Sequence, residues 1–212
     1  MNIVLNLKKI FNYVRLNLSR RFLYKYGIGS RVEKDIWEHQ FEKGAWDYLY
    51  SEEESGHYLS IRKLYAKYGK GTILDVGCGQ GVLFHYLKEE IENPSDYLGI
   101  DISATAIQQA QNDFPGFRFE QVDFDKKIVR EKFDVIIFNE CLYYFNKPYD
   151  RLASSIRESL KPGGSVIVSI FDYAEHALIW KRLSEEYDFI ETDSVQNAKG
   201  QKWKIGLFKP TV

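Results

Sequence analysis

Cysteine is scarce in this sequence: only Cys78 and Cys141 occur in 212 residues. Two thiols cannot build a disulfide framework, and these two lack the spacing of a metal-ligand pair, so a disulfide-stapled secreted fold and a zinc site are both disfavoured. Proline is also sparse, at 5 residues, while aromatic residues make up 16% of the chain. That composition argues against disorder, because buried rings offset the entropy of ordering. No apolar run approaches the roughly 18 residues needed to span a bilayer, and no small-residue cleavage site follows the N-terminal segment. The expectation is a protein of the reducing cytoplasm, without a metal.

What is present suffices for one domain with a sizeable core plus an appendage. The net charge of −1 hides an uneven distribution: residues 1–26 carry Lys8, Lys9, Arg15, Arg20, Arg21 and Lys25 and no acid. The rest holds 23 basic and 30 acidic side chains, a net of −7. The main body therefore has no electrostatic footprint for nucleic acid. In the basic leg Ile3, Leu7, Ile10, Phe11, Val14, Leu18 and Phe22 recur at three- and four-residue spacing, which predicts an amphipathic helix. Two occupants suit its apolar stripe. One is an anionic membrane surface, giving peripheral membrane association; the other is the chain's own domain or a dimer mate. Gly27 and Gly29 would allow a hinge after it.

Residues 31–70 read as a helical lid, with Trp37, Phe41, Trp46, Tyr48, Tyr50 and Tyr58 set among charged residues. Two short helices are expected, interrupted by Gly44 and by Glu52-Glu53-Glu54 before Gly56, the second running from about Tyr58 to Tyr68. From residue 71 to 212 β-rich runs alternate with helical stretches. Strands are expected at 72–76, 97–101, 118–122, 133–139 and 165–171, with helices at 82–91, 104–112, 149–160 and 174–187. This is the signature of an α/β fold with a doubly wound parallel sheet. Two last β runs, 189–196 and 202–208, joined by Asn197-Ala198-Lys199-Gly200, add an antiparallel hairpin and bring the strand count to seven.

The most informative stretch is Ile73-Leu74-Asp75-Val76-Gly77-Cys78-Gly79-Gln80-Gly81, an apolar strand running into three glycines and then a helix. Such a loop lets a nucleotide-type ligand approach the backbone and offers it amides at a helix start. Asp101, ending the next strand, sits where a carboxylate can accept hydrogen bonds from both ribose hydroxyls. The dinucleotide pattern Gly-x-Gly-x-x-Gly is not matched, because the third glycine comes one position early, which weakens an NAD reading.

With Asp75, Gly77, Gly79 and Gly81 in this arrangement, the sequence resembles the class I S-adenosylmethionine-dependent methyltransferase family, of small-molecule or glycan type, over residues 71–210. The resemblance implies a Rossmann-like sheet and S-adenosylmethionine as cofactor. It implies cofactor roles for Asp101 on the ribose, Ile102 on the adenine face and Asp123 on the adenine amino group with Phe124 beside it. Cys78, a small filler of the loop, and Asn139, ending the fourth strand, complete that set. Asn139-Glu140-Cys141-Leu142-Tyr143-Tyr144 stands where the family's fourth motif falls, and Leu160-Lys161-Pro162-Gly163-Gly164 resembles the turn before its fifth strand.

Methyl transfer is an in-line displacement, for which alignment supplies much of the acceleration. A hydroxyl acceptor also needs a general base, whereas an amine must only be neutral. Ligand clefts of such sheets open at the carboxyl ends of the strands. That selects Glu140, Tyr143 and Tyr144 after the fourth strand, and Asp172, Tyr173 and His176 after the fifth. His176 is the first candidate base and Glu140 the second. Trp37, His39, Trp46 and Tyr58 are expected to close over the substrate; His39 and His57 each also fit a plain helix surface.

Nucleic-acid acceptors are disfavoured, because Asn139-Glu140-Cys141-Leu142 replaces the Asn-Pro-Pro-Tyr type motif of amino-methylating nucleic-acid enzymes. Residues 139–145 resemble the corresponding stretch of nodulation-factor N-methyltransferases, which act on an oligosaccharide amine. Residues 200–205 and the aromatic lid resemble, more loosely, methyltransferases of bacterial polysaccharide biosynthesis. The expected function is methyl transfer to a hydroxyl or amine of a small molecule or sugar precursor. The alternative is a non-catalytic cofactor-binding interaction module, since fold alone does not settle function.

Overall fold

Val14, residues 23–173 and residues 176–210 are described by a computed structural model. The helix expected in the basic leg therefore lies, Val14 apart, outside the described residues. The apolar runs form seven strands: β1 (Ile73–Val76), β2 (Tyr97–Asp101), β3 (Arg118–Gln121), β4 (Phe133–Asn139), β5 (Leu160–Phe171), β6 (Phe189–Gln196) and β7 (Lys202–Phe208). They make one sheet in the order β3-β2-β1-β4-β5-β7-β6. The first five are parallel, while β7 pairs antiparallel with β5 and with the edge strand β6. The α-helices are α1 (Lys34–Glu42), α2 (Ser55–Leu64), α3 (Val82–Leu87), α4 (Ala104–Asp113), α5 (Pro148–Ser159) and α6 (Ala177–Glu186). None of the described helices is long and apolar enough to cross a membrane.

Alternate residues of each strand feed opposite faces, so continuous apolar runs make two cores. Leu74, Val76, Ile136, Phe138 and Val168 pack with Leu152 of α5 and Leu183 of α6. Ile73, Val135, Ile137 and Ile167 pack on the other face with Ile61 of α2, Phe84 of α3 and Ile107 of α4. Full burial of each such side chain is worth about 1.5–3 kcal/mol.

Two local expectations are revised. The second helix, expected from about Tyr58, begins earlier and takes Gly56 inside α2, where a Cβ would come 2.5 Å from Val195 Cγ1. Close approach to the hairpin explains its glycine. The helix therefore starts at Ser55 and ends in a π-type turn, Tyr65–Gly69. Ser60 Oγ donates to Asp193 at 2.8 Å and Tyr68 to Glu191 at 2.6 Å, both on β6. The second half of the expected lid is thus a helix packed on the hairpin, although His57 and Tyr58 at its start still line the cavity. Second, β5 begins at Leu160 rather than Ser165: Leu160 pairs with Phe133, then the register shifts so that Ser165 pairs with Val135. The loop Lys161-Pro162-Gly163-Gly164, with Gly163 at φ 75°, absorbs the extra residues as a bulge.

Strand order reverses between β1 and β4. Crevices form at that switch point, outside the carboxyl ends of the strands, and it is there that Gly77, Asp101, Asp123 and Glu140 come together.

Candidate active site

The chain after β1 turns at Gly77 (φ 73°) and Gly79 (φ 54°) before α3. A Cβ on Gly77 would lie 2.6 Å from Cys141 Cβ, so this loop admits no side chain there. Gly77 and Cys78 amides donate to the Ile100 carbonyl at 2.8 and 3.0 Å, which ties the loop to β2. Asp101 completes the cradle: its carboxylate accepts from the Gly79 amide at 3.1 Å and the Ser103 amide at 2.8 Å. Burial raises its pKa to about 6, although those amides and that of Ile102 pull against the rise. Asp75, at 1% exposure, accepts from Tyr97 Oη at 2.7 Å, and burial lifts it to about 7.

A cavity of about 370 Å³ extends from this loop, within the range of small-molecule sites. Its nucleoside end is walled by Asp75, Gly77, Cys78, Gly79, Asp101, Ile102, Asp123, Phe124 and Asn139. Gly81 stands off the wall. It is the N-cap of α3 at φ 85°, and a Cβ there would meet the Phe114 ring at 2.9 Å, so conformation and packing account for it. Asp123 reaches the wall already engaged, accepting from Arg31 Nη2 at 2.9 Å with Lys126 Nζ at 3.0 Å. Arg31 also bonds Asp125 at 2.6 Å, which fastens the strap before α1 across this end. Glu38 of α1 makes a second clasp on the α4 N-terminus, accepting from Ser103 Oγ, the Ala104 amide and the Thr105 amide at 2.7, 2.8 and 3.0 Å. Burial opposes its ionisation, yet these donors hold the carboxyl down at about 2.

The other end is aromatic. Trp37, Trp46, Tyr58, Tyr143 and Tyr144 line it, together with Tyr48, Phe171, Tyr173 and Trp203. Trp37 meets Tyr144 edge-on, with centroids 5.0 Å apart. The turns between α1 and α2 are pinned to the glycine loop: Tyr50 Oη donates to the Gln80 carbonyl at 2.9 Å and Gln80 Nε2 to the Trp46 carbonyl at 3.4 Å.

Glu140 stands between the two ends. It adopts φ 54°, a left-handed conformation that costs a non-glycine residue about 1–3 kcal/mol. The turn directs its carboxylate to three donors: Ser169 Oγ at 3.2 Å, the Phe171 amide at 3.0 Å and Tyr143 Oη at 3.1 Å. Burial pushes its pKa to about 8; the donors resist this and the like charge of Glu54 adds to it. A carboxyl in this range can exchange a proton near neutral pH.

His176, the first candidate base, does not reach the cavity wall. It is 1% exposed, Nδ1 lies 2.7 Å from the Phe171 carbonyl oxygen, and its ring stacks on Tyr143 with centroids 4.5 Å apart. Tyr143 stands on the wall and His176 behind it, so His176 supports that wall, and of the two candidate bases Glu140 alone faces the cavity. Asp172 is exposed and off the wall, its amide bonded to the Lys202 carbonyl of β7 at 2.8 Å. His39 likewise stands outside the lining. His57 does line it, stacked on Trp203 at 4.9 Å and 10°. Burial lowers its pKa to about 3, so it is neutral.

These carboxyls make stability pH-dependent with a definite sign. Asp75, Asp101 and Glu140 are protonated more readily folded than unfolded, so their contribution is complete below about pH 4 and is lost as pH rises through about 7, 6 and 8 respectively. The ligand-free midpoint of urea unfolding is expected to fall between pH 5 and pH 8, as read by circular dichroism. Glu140→Gln is expected to flatten that fall and raise the midpoint at pH 8. An unchanged slope would mean that Glu140 titrates normally.

A parallel sheet reversing at a Gly-x-Gly-x-Gly loop, with a ribose-type carboxylate after β2, defines a nucleoside-cofactor enzyme fold. A family model described as a methyltransferase domain matches residues 68–206. The chain belongs to this family, of class I S-adenosylmethionine-dependent methyltransferases, and its cofactor is S-adenosylmethionine. An uncharacterized protein of Methanocaldococcus jannaschii is 29% identical over 176 residues, 77% of this chain and 44% of that relative. A putative methyltransferase of Invertebrate iridescent virus 6 is 26% identical over 96 residues, 44% of this chain and 36% of that relative. The chain thus spans less than half the length of either. The N-methyltransferase NodS of Bradyrhizobium japonicum, solved with S-adenosyl-L-homocysteine, superposes with a TM-score of 0.66 at 17% identity, covering 82% of this chain and 97% of that one.

The cradle fits this cofactor: two glycines with positive φ, a carboxylate at the ribose position and an apolar Ile102 and Phe124 beside it. Sequence reasoning missed Arg31, Glu38, Glu54 and Gln80. Their partners lie 30 to 94 residues away or across the cavity, and no local pattern announces such pairs.

Proposed function

We propose that the chain transfers the methyl group of S-adenosylmethionine to a hydroxyl or amine of a small molecule or sugar precursor bound at the aromatic end of the cavity, with Glu140 as general base. The observation that carries this is Glu140 itself: a strained, three-donor carboxyl with a pKa near 8, set between the glycine loop and the aromatic wall. The cofactor supplies a methyl carbon made electrophilic by its sulfonium. Asp101 and the loop amides hold the nucleoside, and Trp37, Tyr144 and Trp46 exclude water. Ionised Glu140 takes the acceptor's proton, while Tyr143, backed by His176, keeps the carboxylate aimed. The likeness of residues 139–145 to nodulation-factor N-methyltransferases supports a glycan-type acceptor.

Scanning calorimetry with S-adenosylhomocysteine and with NAD tests the cofactor half. The first is expected to raise the melting temperature and NAD to leave it unchanged, because only a ligand of the native state stabilises it. Transfer of labelled methyl across a panel of amino sugars, neutral sugars and phenols tests the other half; cofactor binding without transfer to any acceptor would favour an interaction module.

A further inference from the structure

The two ends of the cavity differ in charge. Among the described lining residues Arg31 is the one Lys or Arg, and Asp123 and Asp125 already neutralise it at the nucleoside end. The acceptor end carries Glu54 and Glu140 against no cation of its own. Glu54 is 6% exposed and forms no salt bridge with the described residues; the neighbouring pair is instead Glu53 with Lys199. Burial raises the Glu54 pKa, as it does that of Glu140. An independent sign of a missing ligand group comes from His57. It is 1% exposed and lines the same space; the Glu54 backbone is set against its ring, and no described side chain bonds either nitrogen. A bound polar group would give a buried ring nitrogen the partner that water supplies in the unfolded chain.

Building on the methyl-transfer reading above, we propose that the acceptor end is an ammonium-binding site, with Glu54, Glu140 and His57 as its polar contacts and Tyr58, Tyr48 and Trp203 as its aromatic wall, so that the acceptor is an amine. Carboxylates and ring faces both attract a cation, and desolvation strengthens both attractions. A phosphorylated or carboxylated group at this end would meet Glu54 and Glu140 with no cation in the lining, Lys199 lying outside it and paired with Glu53. A neutral alcohol supplies no charge that favours the ionised form of either carboxyl. The step balances: the ammonium gives one proton to ionised Glu140, and the freed nitrogen lone pair forms the N–CH₃ bond. The S–CH₃ bond breaks with its electron pair passing to sulfur, which leaves a neutral thioether. The product is an N-methylammonium, and Glu140 returns its proton to solvent.

Three matched probes test this on the full chain saturated with S-adenosylhomocysteine at pH 7: benzylammonium, benzyl alcohol and benzoate, followed by tryptophan fluorescence and ligand-observed NMR. Benzylammonium is expected to bind at least about tenfold more tightly than benzyl alcohol, a preference of about 1.4 kcal/mol, and benzoate not to bind. Glu54→Gln is expected to weaken benzylammonium about tenfold while leaving S-adenosylhomocysteine affinity and benzyl alcohol unchanged. Equal binding of the three probes, no binding of benzylammonium at millimolar concentration, or an equal loss of S-adenosylhomocysteine in Glu54→Gln would each overturn the ammonium site. Failure of the wild-type chain to bind S-adenosylhomocysteine would instead remove the reading beneath it.

Discussion

Glu140→Gln is expected to lower kcat by about 10²–10⁴-fold, the usual worth of a positioned general base, while S-adenosylhomocysteine affinity stays within about threefold. The substitution keeps the size of the side chain: with its carbonyl oxygen in the Oε2 position, Gln still accepts from the Phe171 amide and Tyr143 Oη, and its NH2 faces the Ser169 hydroxyl, which can turn to accept. What is lost is the ability to hold a proton. In the wild type kcat/KM is expected to rise with pH through an apparent pKa near 8, because the protonated carboxyl cannot act as a base. In Glu140→Gln that limb should vanish, apart from any ionisation of the acceptor itself. Single-turnover methyl transfer across pH 6–9 measures both. A loss below threefold, with the limb intact, would leave positioning as the whole of catalysis and return Glu140 to a structural part.

Asp101→Ala is expected to weaken S-adenosylhomocysteine by about 1.5–3 kcal/mol, or about 10–150-fold, measured by isothermal titration calorimetry. Two losses add. The ribose hydroxyls lose a charged acceptor, and the Gly79 and Ser103 amides lose the carboxylate that ties the glycine loop to the start of α4. With its pKa raised to about 6, Asp101 is ionised at pH 7 and becomes neutral as pH falls toward 5. Wild-type affinity is therefore expected to decline over that range, and Asp101→Ala to show a weaker decline. Equal affinities for the two proteins would mean that the ribose is held elsewhere.

The parts legible in the sequence are those whose meaning is local. Strands β2, β4, β6 and β7 fall on the expected residues, because an apolar run bounded by turn residues needs no partner to be recognised. The glycine loop is equally plain, since positive φ at Gly77 and Gly79 admits few other residues. The reason for Gly56 inside α2 is Val195, 139 residues on, which no local pattern announces. His176 misled for the same reason. It follows β5 as a cleft residue should, yet the first turn of the segment folds it beneath Tyr143.

Sequence alone thus determined the α/β class, the parallel sheet with its terminal hairpin and the nucleoside loop, all consequences of short-range pattern and backbone conformation, and through the family resemblance those motifs carry, the cofactor; the strand order came from the fold. Tertiary structure decided the roles of the polar residues. Whether a carboxyl is a proton acceptor, a clasp or a spectator depends on what surrounds it in space. Glu38 is held at about 2 by donors from α4, and Glu140 is raised to about 8 by burial beside Glu54. The same functional group acquires opposite chemistry because desolvation and hydrogen bonding are set by neighbours distant in the chain.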